Sequence, residues 1–409
     1  MTPASSPIAA PIVRARHGAR PKRRVLHVFD SLGVGGAEMW FIAFLEWLEK
    51  NGESLPFELE VEVCLTGGRR AALDDRAERL GAKLHYIKYG RQHLRRFATE
   101  FRRLLAKGRF DAIHDHADYA AGLHLLIGAG ELPRARVVHV HNPVATFNKS
   151  LSKRMTRVIG RLAVSNLATT VAGTSMRILH DYGLAPHPQA KQRRVAMHCG
   201  FDLSSYGADR HQARMDVRTE FGWSPDAIIL LFVGRLESHF NQKNPRLALD
   251  IILECIARDS RVKGLFVGAG DVARHEMELE IERMGLTNAV RLPGVRFDVP
   301  RLMLAADLLL FPSIAEGLGM VAVEAQAAGL RVLASDTTPR ECEVVKGMVT
   351  FTSLAASPRA GADVAQSLLD TPAPPHQAAY EAVGNSPFAI ASSARSMLDA
   401  YGFNSPPEL

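Results

Sequence analysis

Short hydrophobic runs that end in polar or glycine-rich turns alternate along the chain with longer apolar or amphipathic stretches. Residues 25–29 form a buried-type run, 31–36 a turn, and 39–50 an almost wholly apolar stretch, which predicts a strand, a loop and a helix. Further strands are predicted within 57–65, 109–116, 135–143, 167–175 and 193–202. This alternation is typical of a parallel β-sheet covered by helices on both faces.

The same alternation restarts after a polar stretch at 204–226. Strands are predicted within 227–235, 262–270, 288–295 and 307–313, and helices over 245–258, 272–284 and 298–305. The fold class is therefore α/β, with two doubly wound, Rossmann-like domains facing a central cleft at the strand ends. The predicted boundaries are a disordered basic tail at 1–23, an N-terminal domain at 24–205, a linker at 206–226, a C-terminal domain at 227–385 and a helical tail at 386–409.

The composition fits two globular domains in a reducing compartment. Of the 409 residues, 47% are hydrophobic and 23% are charged, which is ample for two cores. No apolar stretch approaches the roughly 20 residues of a spanning helix, and the N-terminus lacks the long apolar segment of a secretory signal. The four cysteines lie far apart, with no C-x-x-C pair, so we expect free thiols and a cytoplasmic protein.

The net charge of +7 is concentrated in basic segments. Residues 1–24 contain no acid, and 91–109 contain seven cations and one acid. The segment 151–167 interleaves Lys and Arg with apolar residues at helical spacing, as helices that lie on anionic lipid do. An acidic partner (anionic lipid, a phosphorylated acceptor or nucleic acid) and ordinary solvated faces around a core-facing helix both fit these charges.

Two carboxylates, Glu316 and Glu324, stand on either side of a glycine turn, Gly317-Leu318-Gly319, and a helix is predicted from about Met320. The free N–H groups and positive dipole end of a helix N-terminus bind phosphate, and glycines let a ligand approach the backbone. Carboxylates can accept hydrogen bonds from sugar hydroxyls, so the pattern indicates a nucleotide-sugar site. In the alternative interpretation, Glu316 only complements the helix dipole and Glu324 is a surface residue.

A second pair of residues, Arg235 and Lys243, follows a predicted strand and precedes a helix. Two cations there could neutralise a diphosphate leaving group; the alternative is ordinary surface cations. The loop 31–38 has the spacing G-x-G-G, which differs from the dinucleotide-binding spacing. We interpret it as a place of close backbone access from the opposite side of the cleft.

Histidines recur in pairs at predicted strand ends, at His114 and His116 and at His139 and His141. A zinc site is an alternative for this pattern, but no neighbouring carboxylate pattern or H-x-x-x-H helix accompanies it. We therefore expect these histidines to face substrate. The chain also has no D-x-D, so we expect no metal and no cofactor, with cations and helix amides stabilising the leaving group instead.

In order along the chain, "LGVGGAE", "FVGRLESHFNQKN" and "EGLGMVAVEAQAAG" resemble the motifs of retaining family 4 glycosyltransferases, which have the GT-B fold. The resemblance covers residues 24–350 and, more loosely, the tail, and the subgroup resembled is that of bacterial exopolysaccharide and capsule synthesis. Departures are a gap between Arg235 and Lys243 two or three residues longer than usual, His198-Cys199 where an Asn is common, and Arg331 where proline is common.

The resemblance implies a metal-independent hexosyltransferase that moves a sugar from a nucleotide-sugar, with UDP favoured and GDP-mannose next, to a glycan or lipid-linked acceptor. The C-terminal domain would hold the donor, the N-terminal domain the acceptor, and the C-terminal helix would cross back to the N-terminal domain. The implied catalytic residues are His141, Glu316, Arg235 and Lys243. The implied donor-binding residues are Gly35, Gly36, Arg235, Lys243, Gly294, Val295, Glu316, Gly317, Leu318, Gly319, Met320 and Glu324, and His114, His116 and Asn142 would lie on the acceptor side.

Other functions fit the sequence less well. A GT-B nucleotide-sugar epimerase remains an alternative, as does a degenerate scaffold subunit, although Glu316, Glu324, Arg235 and His141 are all present. A phosphorylase would need a lysine for pyridoxal phosphate, and no such motif is evident. Nucleic acid is not an expected partner, because no aromatic-studded basic sheet or recognition motif accompanies the basic segments. Peripheral contact with anionic lipid of the inner membrane face is the expected environment of a lipid-linked acceptor.

Overall fold

The computed structural model describes residues 20–143, 151–236, 241–270 and 272–403. Its first unit is a seven-stranded parallel sheet in the order β3-β2-β1-β4-β5-β6-β7. The strands are β1 (Lys22–Phe29), β2 (Glu58–Leu65), β3 (Lys83–Tyr86), β4 (Ala112–Asp115), β5 (Ala135–Val140), β6 (Thr170–Gly173) and β7 (Arg193–Ala196). The helices are α1 (Gly36–Asn51), α2 (Asp74–Arg79), α3 (Leu94–Gly108), α4 (Ala120–Gly128), α5 (Leu151–Leu167) and α6 (Met176–Asp181).

The second unit is a six-stranded parallel sheet in the order β10-β9-β8-β11-β12-β13. Its strands are β8 (Ile228–Val233), β9 (Val262–Val267), β10 (Val290–Gly294), β11 (Leu308–Phe311), β12 (Val332–Ser335) and β13 (Val349–Thr352). Its helices are α7 (Arg210–Phe221), α8 (Pro245–Arg258), α9 (Val272–Arg283), α10 (Val299–Ala305), α11 (Met320–Ala327), α12 (Pro358–Asp370) and α13 (His376–Gly384), and α14 (Ile390–Ala400) ends the helical part of the chain. The predicted fold of two doubly wound α/β units is confirmed.

Each sheet has a hydrophobic core on both faces, as a parallel sheet requires. Val25 and Val63 point into one core of the first unit, and Leu26 and Ile113 into the other. In the second unit, Leu231 and Leu230 divide in the same way. Adjacent strand residues therefore face opposite cores, and the polar chemistry is left to the strand ends.

The described part of the predicted N-terminal tail is ordered. Strand β1 begins at Lys22, inside the segment 1–23 that was expected to be disordered. Arg20 donates hydrogen bonds to the carbonyls of Gly52 and Glu53, and Pro21 accepts one from the Glu58 backbone. The charged side chains at the first residues of β1 are exposed or half-buried, so they do not prevent backbone pairing. Residues 1–19 lie outside the described ranges.

The segment 206–226, predicted to be a linker, is packed into the second unit. Helix α7 buries Ala213 and Val217 in the core that also contains residues of β8 and β11. Arg218 is 1% exposed; its guanidinium donates to the carbonyl of Ala227 and lies 2.9 Å from the Asp307 carboxylate. The polar composition of this segment reflects the outer face of an amphipathic helix rather than a free connection.

The C-terminal helix α14 belongs spatially to the first unit. Its residues Ala394, Met397 and Leu398 lie in the hydrophobic core that contains Val25 and Val63. Trp40 Nε1 on α1 donates to the Ser393 hydroxyl at 2.8 Å. The crossing of the tail helix onto the N-terminal domain is therefore seen directly in the packing, and residues 404–409 lie outside the described ranges.

Candidate active site between the two sheets

The glycine turn 317–319 leads into helix α11 at the carboxyl end of β11, as predicted. Gly319 is the residue before the helix and has φ 97°, a left-handed conformation that favours glycine. A Cβ there would also lie 3.0 Å from the Phe311 ring. Both the backbone angle and the space therefore explain why glycine stands at this position.

Lys243 and Glu316 form an ion pair at this turn. The Lys243 Nζ lies 2.6 Å from Glu316 Oε1 and 5.7 Å from the centre of the Phe311 ring. The side chains are 23% and 7% exposed, so the pair is largely withdrawn from water. An ion pair of this kind is strongly coupled, because removing either partner leaves the other charge poorly solvated.

Glu324 lies one turn further along α11 and is held in a less polar setting. Burial raises its pKa to about 7, while a hydrogen bond from the Tyr206 hydroxyl and the charge of Lys243 act in the opposite direction. The two predicted carboxylates therefore share the field of one lysine. Tyr206 was not predicted, and nothing in the polar stretch around it signals this role.

The glycine turn 317–319 contacts the first unit directly. A Cβ built on Gly317 would lie 2.2 Å from the His141 carbonyl oxygen and 2.9 Å from the Thr174 hydroxyl. The Ser175 hydroxyl donates to the Gly317 carbonyl at 2.6 Å. The turn after β11 is therefore in contact with the ends of β5 and β6, and the site lies where the carboxyl ends of both sheets meet.

His141 and Asn142 are held by a single carboxylate, Asp118. The backbone N–H of His141 donates to Asp118 Oδ1 at 2.7 Å, and Asn142 Nδ2 donates to Oδ2 at 2.9 Å. Asp118 has φ 53°, an uncommon conformation for a residue other than glycine. Burial raises its pKa to about 6. Asn142 is exposed, which suits its expected place on the acceptor side.

The glycine loop of the first unit lies at the start of α1. Gly35 precedes the helix and Gly36 is its first residue, and a Cβ on Gly36 would meet no atom within 4 Å. The Glu38 carboxylate folds back against Gly35. Burial raises the pKa of Glu38, and the charge of Arg235 lowers it. Arg235 therefore acts across the cleft, and Glu38, which stands in the quoted motif, is a neighbour that the sequence analysis did not single out.

Two predicted donor-binding residues, Leu318 and Met320, have side chains that are buried or partly buried. Leu318 is 3% exposed and belongs to the core of the second unit, so only its backbone can face the cleft. Met320 packs partly buried against cores of both units. Gly294 ends β10, two strands from β8, and the following Val295 is 50% exposed. Because the sheet is parallel, these two residues follow a strand at the same carboxyl edge as Arg235.

The expectation that His114 faces the acceptor is wrong, and His116 lies only at the edge of the cleft. His114 is fully buried, and its Nδ1 lies 2.7 Å from the Tyr401 hydroxyl. His116 is 7% exposed and contacts His141 through its ring. The sheet face on which these side chains lie is covered by α1 and α14, and a long-range covering of this kind leaves no mark in the local sequence.

The described side chains of α5 show that the helix has both a core-facing side and an exposed apolar side. Met155, Val158, Ile159 and Leu162 are 58%, 57%, 43% and 61% exposed. The inward side of α5 packs on the first unit: Gly160 approaches the Tyr119 carbonyl, and Ala163 and Val164 are buried. A cavity of about 580 Å³ beside this helix is lined by Arg157, Arg161 and Tyr182, among others. Among the described residues, no helix is both long and apolar enough to span a bilayer.

Two doubly wound sheets whose carboxyl ends meet at paired acids and cations define the GT-B class of protein. A family model described as Glycosyltransferase Family 4 matches residues 34–204, and one described as Glycosyl transferases group 1 matches residues 227–371. The chain therefore belongs to the family 4 glycosyltransferases, with a group 1 domain as its C-terminal half.

Curated relatives agree with this assignment, and solved structures agree with the fold. EpsF of Bacillus subtilis, named as a glycosyltransferase, is 26% identical over 338 residues, which are 81% of this chain and 84% of EpsF. The capsular polysaccharide biosynthesis glycosyltransferase CapH of Staphylococcus aureus is 24% identical over 330 residues, 76% of this chain and 81% of CapH. Anabaena HepE, crystallised with UDP, matches with a TM-score of 0.74 and 19% identity over 93% of this chain and 99% of its own. WaaG, a glycosyltransferase of lipopolysaccharide biosynthesis, matches with a TM-score of 0.67 and 17% identity over 94% of this chain and 100% of its own.

Proposed function

We propose that this protein is a retaining hexosyltransferase that moves a sugar from a nucleotide-sugar to a glycan or lipid-linked acceptor in cell-surface polysaccharide synthesis. UDP-sugar is the favoured donor, and GDP-mannose is the next candidate. The observation that carries the proposal is the Lys243–Glu316 pair beside Glu324 and the start of α11, in contact with His141. The HepE structures with UDP and UDP-glucose and the names of EpsF and CapH support the same reading.

In this proposal, the charges of the site match the parts of the donor. The N–H groups at the start of α11, together with Arg235 and Lys243, bind the diphosphate and stabilise the charge that develops on it as the sugar leaves. Glu324 accepts hydrogen bonds from the ribose and Glu316 from the donor sugar. The backbone near Gly294 and Val295 meets the base, and Gly35 and Gly36 approach the diphosphate from the first unit.

Retention of configuration is proposed to proceed by attack from the face of the leaving group. Glu316 is only 7% exposed and is already paired with Lys243, which makes it a poor nucleophile for a covalent intermediate. The acceptor proton then passes to the leaving phosphate. The cations and amides named above do the work of a divalent ion, so no metal is required.

The test is isothermal titration with UDP, GDP, ADP and their sugars, followed by turnover with lipid-linked acceptors. We expect one nucleotide to bind and Glu324→Gln to lose at least about tenfold in affinity, as for a charged hydrogen bond. Glu276→Gln, an exposed carboxylate on α9, is the matched control. Turnover unchanged by EDTA and an anomeric product of retained configuration complete the prediction.

Two results would replace this proposal. Nucleotide binding without turnover over a broad acceptor panel would favour a scaffold subunit. Epimerised nucleotide-sugar formed without any acceptor would favour an epimerase. Inversion of the anomeric centre would leave a glycosyltransferase but contradict the face of attack.

We also propose that α5 rests on the inner face of the plasma membrane, making the protein cytoplasmic and peripheral. The exposed Met155, Val158, Ile159 and Leu162 stand beside Arg157 and Arg161 on this helix, and apolar burial with anionic attraction is what holds such helices on lipid. Vesicles of phosphatidylglycerol should co-float with the protein, and Leu162→Asp should weaken the binding, with the exposed Met215→Asp on α7 as control. Equal flotation with neutral vesicles would contradict the electrostatic part.

A further inference from the structure

Four buried histidines, the half-buried His141 and one tyrosine form a continuous line of ring contacts from the interior of the first unit to the cleft. All lie under α1 and α14, and Trp40 places its ring edge-on to His114, His116 and His139. In order, the contacts are His139 Nδ1 to His114 Nε2 at 3.3 Å, His114 Nδ1 to the Tyr401 oxygen at 2.7 Å, the Tyr401 oxygen to His27 Nε2 at 3.4 Å, His27 Nδ1 to His116 Nε2 at 3.1 Å and His116 Nδ1 to His141 Nε2 at 3.0 Å. We call this line the histidine chain.

The histidine chain can carry its hydrogens in only two self-consistent ways. Burial lowers the pKa of all five imidazoles, so each ring is neutral and has one donor and one acceptor nitrogen. Each contact needs one hydrogen. Either every ring carries it on Nε2 or every ring carries it on Nδ1. A mixture would place two lone pairs or two hydrogens face to face or, if both His114 and His27 donated to the Tyr401 oxygen, would leave the phenol hydrogen without an acceptor in the histidine chain.

The two contacts of Tyr401 distinguish these arrangements. Hydrogen bonds donated by O–H are shorter than those donated by N–H. The contact to His114 is 2.7 Å and the contact to His27 is 3.4 Å, so the phenol donates to His114 and receives from His27. His114 Nδ1 is then an acceptor and His27 Nε2 is a donor, which is the arrangement with every hydrogen on Nε2.

The interior end of the histidine chain agrees with this direction. His139 Nε2 has no hydrogen-bond partner of good geometry among the described residues. The backbone of Met197 raises the pKa of this ring, as a hydrogen-bond acceptor does, although burial lowers it more. An N–H facing a carbonyl is weakly favourable, whereas a lone pair facing it would be repulsive.

We propose that the histidine chain fixes His141 as its Nε2–H tautomer, with His116 as the positioning residue that accepts this hydrogen. The Nδ1 of His141 is then the ring's acceptor, suited to a sugar hydroxyl that donates to it. Asp118 fixes the backbone of the same residue, so both the main chain and the ring of His141 are set before a ligand arrives. The role toward a hydroxyl rests on the proposed function, whereas the tautomer does not.

A zinc ion is the competing occupant of the same nitrogens. Ring nitrogens of His116, His139 and His141 lie within 4.8 Å of one another, as do those of His27, His114 and His116. Zinc binds imidazole through the lone pair, so an ion held by His116, His139 and His141 would have to break the hydrogen bonds of the histidine chain. The two interpretations therefore make opposite predictions.

The first experiment measures tautomers directly in the ligand-free protein. Long-range proton–nitrogen NMR of protein labelled with ¹⁵N-histidine should show all five rings neutral at pH 7, each with the hydrogen on Nε2. Elemental analysis, as purified and after zinc addition and desalting, should find no stoichiometric metal. An Nδ1–H tautomer at His141, or one bound zinc per chain, overturns the proposal without any bearing on whether the protein is a transferase.

The second experiment measures the consequence for turnover. His116→Phe removes the acceptor and should lower kcat on the order of 10-fold to 100-fold, as small misplacements of a site residue do, with little change in nucleotide affinity. His116→Asn keeps an acceptor near the Nδ1 position and should recover part of the loss. Equal kcat in all three proteins would contradict the positioning role.

A distant variant keeps the test valid if His116→Phe does not fold. Tyr401→Phe removes only the hydroxyl in the middle of the histidine chain and should leave His141 as a mixture of tautomers with a several-fold lower kcat. Tyr86→Phe removes a partly buried hydroxyl bond to Asp74 elsewhere in the same unit and serves as the matched control. An unmixed Nε2–H His141 in Tyr401→Phe would show that the tyrosine does not set the direction.

Discussion

The two sides of the cleft treat charge in opposite ways. On the second unit, Lys243, Glu316 and Glu324 gather ionisable groups around the start of helix α11. On the first unit, the residues behind His141 are neutral imidazoles joined by hydrogen bonds. Ionic groups suit the diphosphate of a donor, and neutral donors and acceptors suit hydroxyls. The difference indicates that the second unit mainly sets the affinity for the nucleotide, whereas the first unit mainly sets the orientation of the hydroxyl groups.

The largest expected effect comes from disrupting the contact between the Gly317 turn of the second unit and His141 of the first unit. Gly317→Ala would place a Cβ 2.2 Å from the His141 carbonyl, so the turn has to retreat. We expect kcat to fall at least about 100-fold, since loss of near-attack geometry has effects of this size. Steady-state kinetics with the natural donor measures it.

The control for this variant is Gly384→Ala, where the nearest atom to a new Cβ is a leucine methyl at 3.9 Å. It should behave like the wild type. Full activity in Gly317→Ala would break the comparison, because the two sides would then work without their contact.

An intermediate effect is expected from removing the cation of the charged side. Lys243→Met should weaken nucleoside diphosphate binding on the order of 10-fold, since hydrogen bonds to charged groups contribute about 1.5–3 kcal/mol. The histidine tautomers of the other side should not change. Titration calorimetry and the NMR measurement above report the two halves separately.

Lys346→Met, at an exposed position, is the matched control for charge. Combining Lys243→Met with Glu316→Gln should cost less than the sum of the single changes, because the pair is coupled. Additive losses would mean that Lys243 and Glu316 are not coupled. An altered tautomer at His141 would mean that the charged groups of the second unit also act on the histidines of the first.

The smallest effect is a pH dependence from Glu324. Its pKa of about 7 lies above the usual range, so the carboxylate that would accept ribose hydrogen bonds is lost as pH falls below 7. Nucleotide affinity should drop by up to about 10-fold from pH 8 to pH 6. Glu324→Gln should lack this component and retain only the titration of the nucleotide's own phosphate.

The same shift has a consequence for stability with a definite sign. Because the folded state keeps the Glu324 proton where the unfolded chain has lost it, folding is relatively favoured below the unfolded pKa, and this contribution is lost as pH rises toward 7. Melting temperatures of the wild type relative to Glu324→Gln should therefore decrease between about pH 4.5 and pH 7. An opposite slope would place Glu324 in a more polar setting than the packing indicates.

The sequence predicts well what is local. The alternation of runs predicts nearly every central strand, and helix 245–258 agrees with α8 to the residue. Strands β3, β12 and β13 were not predicted. Strands β3 and β13 are short sheet-edge strands with little hydrophobic pattern, and β12, although buried inside the sheet, is only four residues long. Glu316, Gly319 and Lys243 come together as the motifs indicate, because strand ends of a parallel sheet share one edge.

What the sequence could not predict depends on contacts between distant segments. His114 follows the same local pattern as His141, yet α14, nearly 290 residues later, closes over one and not the other. Tyr206 reaches Glu324 from a stretch that looked like a linker. Asp118 stands openly in "IHDHADY", but its role appears only when its left-handed backbone and its three bonds to residues 141 and 142 are seen together.

The crossing of α14 also bears on how the chain is made. The first unit includes its own strands and the last helix, which supplies Met397 and Leu398 to its core and Tyr401 to its polar interior. During synthesis, the first sheet emerges early from the ribosome but has to wait for some 190 further residues before this face is covered. Until then, an apolar face with histidines inside it stays open to water and to chaperones. The first half can therefore be completed only after the whole chain has been made, and loss of the final helix should harm the half of the protein most distant from it in sequence.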